Sequence, residues 1–256
     1  MRIAHSLIAS LVLSFSTIAA VGCATGADDD FSETEDEASA AGKLTFWQAS
    51  DAQWHFNLKS GNGSILLTSE AYKARTSSIT GALSVLDNGV DPAMYTIKAA
   101  AKGYVVTLKS ANGAVISTSE TYATKSSATR AVTACVKAVT SLLDKRESAT
   151  GARAEVLTGA SGQFRFNIFA SNGKVVLSSE QYTTEAAAFN GAMAVQTEGQ
   201  NTAAYNLKQN ASGGYYFTVQ ALNGEIVGTS EQYTTKTAAT DAMASLRTVL
   251  KGLTVL

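Results

Sequence analysis

Cysteine and proline are nearly absent from this chain: two Cys and one Pro in 256 residues, with only His5 and His55 for imidazole. Cys23 and Cys135 form no CxxC pair, and no HExxH stretch surrounds His55, so the usual zinc ligand sets are excluded. A Ser-His-Asp triad would have to rest on His55 alone. No Gly-rich loop of the Walker or dinucleotide type is present to cradle phosphate. These absences predict neither metal nor cofactor. Clustered bases are lacking as well. Nineteen of the twenty Lys/Arg and fourteen of the twenty-one Asp/Glu lie from Ala38 onward, scattered singly, which leaves that part +5. Scatter of this kind is a solvated surface rather than a groove for a polyanion, so no nucleic-acid partner is expected.

Long apolar runs are also missing. Leu7 to Ile18 is too short to span a bilayer comfortably, and no second stretch is longer. Arg2 precedes that run, and Ala20-Val21-Gly22-Cys23 ends it, a pattern that resembles a bacterial lipobox. Residues 1–22 are therefore expected to be a signal peptide, with Cys23 the lipid-modified first residue of the mature chain. With Ala24 next, the pattern implies the outer membrane of the cell envelope. The alternative is an ordinary secretory signal cut near Ala20 or Gly22. Residues 23–42 are small and acidic, with seven acids and no base between Asp28 and Glu37, and read as a flexible tether.

What is present, four times, is a strand, an Asn-Gly turn, a second strand and then Ser-Glu-x-Tyr. Asn62-Gly63, Asn112-Gly113, Asn172-Gly173 and Asn223-Gly224 precede Ser69-Glu70, Ser119-Glu120, Ser179-Glu180 and Ser230-Glu231 at one constant spacing. Tyr72, Tyr122, Tyr182 and Tyr233 follow two residues after each Glu. Asn-Gly supplies residues that tolerate positive φ, a strong hairpin signal. Alternation in Trp54 to Lys59 places Trp54, Phe56 and Leu58 on one face. Beyond each Tyr, Thr76 or Ser77 and their counterparts can cap a helix. Ser78, Gly81, Ala82 and Val85 recur as Ala128, Ala131, Val132 and Cys135, as Ala188, Gly191, Ala192 and Val195, and as Ala239, Ala242, Met243 and Leu246. That is the stripe of a helix with one apolar face.

Each unit is thus β-β-β-α. A three-stranded sheet with one helix is marginal alone, so units are expected to pair. Asn57/Asn167 and Gly81/Gly191 alternate with Thr107/Thr218 and Ala131/Ala242, the A-B-A-B order of a duplicated pair. The expected fold is α+β: two tandem pseudo-twofold domains, 43–143 and 153–252, joined by a polar linker at 144–152. Their antiparallel sheets carry helices on one face.

A tandem pair of β-β-β-α units with N-G, S-E-x-Y and a small-residue helix resembles the YegP-like family of bacterial α+β proteins, here over essentially everything past residue 42. The resemblance implies a fold and no established chemistry. The Ser-Glu-x-Tyr corners are the candidate binding or structural residues. Two readings of them stand. In one, they are structural: Ser and Glu accept backbone N–H groups at the corner and Tyr packs over it. In the other, two Glu residues across a pseudo-twofold form a carboxylate pair, as a hydrolase acting on carbohydrate or cell wall would need. Cys135 stands where other copies have Val or Leu, and His55 where they have Val105, Arg165 and Tyr216; they read as core and as an exposed strand face. The aromatics Trp54, Phe56, Tyr104, Phe164, Phe166, Tyr215 and Phe217 read as core, with Tyr216 on the opposite face. The expectation is a non-enzymatic, lipid-anchored envelope protein whose domains bind an unidentified partner or ligand, with self-association through strand edges a further possibility.

Overall fold

The structure is a computed structural model and describes residues 41–255. The signal segment, Cys23 and the expected tether up to residue 40 lie outside them. Gly42, read above as the end of the tether, belongs to the folded body. It is buried, its N–H donates to Ser141 Oγ, and a Cβ there would meet the Ala138 carbonyl at 2.4 Å.

The chain divides at Lys145/Arg146 into two units. The first holds β1 (Lys43–Gln48), β2 (Trp54–Lys59), β3 (Ile65–Ser69), α1 (Arg75–Asn88), β4 (Tyr95–Ala100), β5 (Gly103–Lys109), β6 (Val115–Tyr122) and α2 (Lys125–Glu147). Its six strands form one antiparallel sheet in the order β1-β2-β3-β6-β5-β4, so the two repeats meet at β3 and β6. Thr68 stands opposite Thr118 at that seam, and Ser69 opposite Ser117. The second unit holds β7 (Arg153–Thr158), β8 (Phe164–Phe169), β9 (Val175–Ser178), α3 (Glu185–Glu198), β10 (Tyr205–Gln209), β11 (Tyr215–Gln220), β12 (Ile226–Thr229), α4 (Lys236–Lys251) and β13 (Thr254–Val255). Its order is β10-β11-β12-β9-β8-β7-β13, with Thr229 opposite Ser178 at the seam. The fold is α+β, in two tandem pairs of β-β-β-α units.

Alternation in each central strand sorts core from open face. Phe56 and Leu58 are fully buried and face α1, while Asn57 between them faces away from it. Phe166, Ile168, Phe217 and Val219 repeat this in the second unit. Each such side chain removed from water contributes about 1.5–3 kcal/mol. Gly81 and Gly191 let the helix approach: a Cβ on Gly81 would meet Tyr72 Oη at 2.2 Å, and one on Gly191 would meet Tyr182 Oη. The expected helix stripe is buried throughout α1 and α3. Val132 of α2 and Ala242 and Met243 of α4 are half-buried.

Several expectations are corrected. Of each Asn-Gly pair, Gly alone uses the positive φ that both residues tolerate. Ser60 and Gly63 close a turn, with Gly63 N–H donating to the Ser60 carbonyl, and only Gly63 adopts positive φ (+93°). Asn62 instead accepts Ser64 N–H on its side-chain oxygen, as Asn112, Asn172 and Asn223 do two residues downstream. Helix α1 begins at Arg75, before Thr76 and Ser77, and its N-cap is Ala74. Helix α2 runs to Glu147, four residues into the span read as linker, although its buried stripe ends at Leu142. The parallel strand β13 beside β7 was not foreseen; two residues after a Gly give no periodic signal.

Candidate functional site

The four Ser-Glu pairs sit where the seam strands break register. In the first unit Asn57 pairs with Thr68, but Trp54 pairs with Tyr72, so two residues of β2 oppose three. Between β5 and β6, Val106 alone opposes Ser119 and Glu120. This is a β-bulge, and serine makes it tenable. Ser69 Oγ accepts Phe56 N–H at 2.9 Å and donates to the Glu70 carbonyl at 2.7 Å. Ser119 does the same for Val106 N–H, Ser179 for Phe166 N–H and Ser230 for Phe217 N–H, each with a 2.7 Å bond to the following Glu carbonyl. The hydroxyl replaces the ladder acceptor that the bulge removes.

The tyrosines lie over the joint. Tyr72 stacks on Phe56 at 6.3 Å, Tyr182 on Phe166 at 6.2 Å and Tyr233 on Phe217 at 6.3 Å. Burial, and after it the nearby Glu, raises the pKa of all three phenols. Burial pushes Tyr122 up to about 12.

The glutamates behave differently from the serines. Glu70, Glu120, Glu180 and Glu231 are exposed, and among the described residues no hydrogen bond or ion pair engages their carboxylates. The expected role for Glu as an acceptor of corner N–H groups is therefore not seen; serine alone fills it. Each pair of glutamates instead lines one groove on the open face. In the first unit Thr68, Ser69 and Glu70 meet Thr118, Ser119 and Glu120 around about 630 Å³, with Ile65 at the flank. In the second, Ser178, Ser179 and Glu180 meet Thr229, Ser230 and Glu231 around about 420 Å³.

Register gives the spacing. Glu70 and Glu120 each lie two residues beyond the paired Thr68 and Thr118, in opposite directions. Their Cα atoms are therefore about 13 Å apart along the strands, at roughly 3.3 Å per residue. Carboxyls that flank a single glycosidic bond stand roughly 5–9.5 Å apart. From Cα positions that far apart, the two carboxylates can engage separate ends of one ligand.

Across the groove floor runs a row of polar side chains on neighbouring strands. In the first unit it reads Thr45, Asn57, Thr68, Thr118, Thr107, Thr96; in the second, Glu155, Asn167, Ser178, Thr229, Thr218, Asn206. Sequence reasoning used Asn57/Asn167 and Thr107/Thr218 only as marks of duplication and passed over Thr68, Thr118, Ser178 and Thr229. The signal was available: a hydroxyl residue precedes Ser-Glu in all four repeats.

The remaining candidates scatter. His55 stacks on Trp47 at 5.1 Å and is half-buried rather than exposed. Tyr216 is half-buried and Arg165 exposed, on β11 and β8. Cys135 is buried, and desolvation pushes its thiol up to about 12. Phe56, Phe166 and Phe217 are core, while Trp54, Tyr104, Phe164 and Tyr215 are half-buried, Trp54 beneath the Arg75 guanidinium at 5.3 Å. Among the described residues no helix is long and apolar enough to cross a membrane, and no group of three His, Cys, Asp or Glu side chains gathers.

Comparison with known proteins follows the same division. The UPF0339 protein YegP of Yersinia pestis is 41% identical over 106 residues, 40% of this chain and 95% of its own length. The UPF0339 protein MS1092 of Mannheimia succiniciproducens is 37% identical over 105 residues, 39% and 93%. The solution structure of yegP from E. coli, a protein of unknown function, has 29% identity, covers 40% of this chain and 88% of that one, and has a TM-score of 0.38. These relatives are each about as long as one pair of repeats. Residues 49–95, 99–141, 160–205 and 210–255 each match the family described as a domain of unknown function, DUF1508. With four matches along its length, the chain belongs to the DUF1508 family, as two YegP-like pairs in tandem.

Proposed function

We propose that this protein is a lipid-anchored component of the bacterial cell envelope, held at the outer membrane through Cys23, and that its two domains are non-enzymatic binding modules. The observation that carries the binding role is the division of labour at the corner. Serine closes the bulge, whereas the adjacent glutamate serves no bond of the fold and yet recurs in all four repeats, facing a groove. A carboxylate with no structural duty, placed on the rim of a concavity, is available to a ligand. The lipobox at Ala20–Cys23 and the acidic run after it support the anchor and the tether. Two acyl signals on one Cys hold a protein stably at a bilayer, since each buried methylene contributes about 0.8 kcal/mol.

Intact mass of the protein extracted from bacterial membranes tests the anchor. We expect residues 23–256 plus diacylglyceryl and acyl groups, and release from the membrane in Cys23→Ala. An unmodified mass beginning after Ala20 or Gly22 would replace the anchor with free secretion. Hydrogen exchange tests the groove. The seam strands β3, β6, β9 and β12 should be better protected in isolated envelopes than in the purified chain. Equal protection would count against a binding role.

A further inference from the structure

We propose that the groove of the second domain binds a linear polyamine, an aliphatic chain with ammonium groups at its ends and between them. The inference rests on the binding role proposed above. Glu180 and Glu231 stand at opposite ends of this groove, exposed, and among the described residues no ion pair engages them. Between them Ser178 and Thr229 offer hydroxyls, and half-buried Val175 adds apolar surface at the flank.

Two buried side chains supply the independent observation. Asn167 is 8% exposed and Thr218 3%, yet Asn167 Oδ1 and Thr218 Oγ1 are buried without a hydrogen-bond partner. Asn167 stands directly opposite Ser178, and Thr218 directly opposite Thr229. Side chains directly opposite one another share a sheet face, so both belong to the groove's face and flank its middle. Buried polar atoms are ordinarily paired. In the first domain the same positions are: Thr68 Oγ1 donates to Asn57 Oδ1 at 2.9 Å, and Thr107 Oγ1 to the Thr96 carbonyl at 3.3 Å. The unmet pair is thus a property of the second domain, where Ser178 takes the place of Thr68.

The ligand class follows from the lining. An amide oxygen and two carboxylates accept hydrogen bonds and donate none, so what completes them must be rich in donors. An ammonium carries donors only, and positive charge. A polyol would bring as many acceptors as donors, and a phosphate would meet two carboxylates. The two carboxylates, set by register at opposite ends of the seam, match charges separated along a chain rather than one compact cation. Methylenes of the chain join the two ends.

Calorimetric titration of spermidine into the full-length chain in detergent tests this. We expect one saturable site, lost or at least tenfold weaker in E180Q/E231Q with an unchanged melting temperature. It should persist in E70Q/E120Q, and weaken severalfold in Ser178→Thr, which puts opposite Asn167 the β-branched residue whose hydroxyl engages Asn57 in the first domain. Putrescine, being shorter, should bind less well. Absence of saturable binding would overturn the inference, as would binding indifferent to E180Q/E231Q or displacement by an equal concentration of magnesium. If spermidine fails while envelopes still protect β9 and β12, only the ligand class falls. If both fail, the binding role falls with it.

Discussion

At the scale of the residue, the corner separates two side chains that the sequence presents as one motif. Ser69 accepts a buried backbone N–H that has no other partner, so Ser69→Ala leaves Phe56 N–H unsatisfied inside the sheet. The cost should be about 1–3 kcal/mol. Glu70→Gln removes charge from an exposed side chain outside any bond of the fold, so stability should change by about 0.5 kcal/mol or less. Urea denaturation of the two variants checks this, and equal losses would mean that the carboxylate holds the corner after all. The spacing of Ser, Glu and Tyr was plain in the sequence because all four copies keep it. What the spacing could not reveal is which of the three faces inward. That depends on the bulge, a property of two strands in register rather than of one stretch of chain.

At the scale of the element, the repeats act as controls for one another. Helix α3 is capped by Thr184, whose hydroxyl accepts Ala187 N–H, and α4 by Thr235, which accepts Ala238 N–H. Thr124 accepts Ser127 N–H before α2. Helix α1 has Ala74 at this position and no side-chain cap. Ala74→Thr should therefore stabilise the first domain by about 1 kcal/mol, the usual worth of an N-cap, raising its thermal midpoint. An unchanged or lowered midpoint would show that the chain entering α1 cannot hold the rotamer. The hairpins, the helix stripe and the small residue at Gly81 or Ala131 were legible because each leaves a periodic or punctuating mark. The helix start was misplaced because Thr76 and Ser77 are capping residues by type, while the true cap position holds an Ala that carries no signal. Gly42 was assigned to the tether for a similar reason: the residues before it are small and acidic, and burial under α2 is a tertiary fact.

At the scale of the molecule, the domain and not the repeat is the folding unit. The sheet of the first unit runs unbroken through β3 and β6, and its core side chains come from both repeats. A fragment of residues 43–91 would expose β3 as a long unpaired edge and uncover Leu66 and Leu67. We expect such a fragment to be unfolded or aggregated by circular dichroism and sedimentation, and 41–147 to fold. A folded monomer of 43–91 would refute the shared core.

Four seam strands of such similar sequence also pose a problem of partner choice during synthesis. Thr68 meets Thr118 fifty residues away, whereas pairing with Thr229 would close a loop of about 160 residues. By loop-closure entropy alone the wrong partner is disfavoured by only about 1 kcal/mol. Order of emergence from the ribosome must supply the rest. The first pair is complete before β9 is made, so chains refolded from denaturant, with all four seams present at once, should yield more misassembled product than chains folded as they are synthesised.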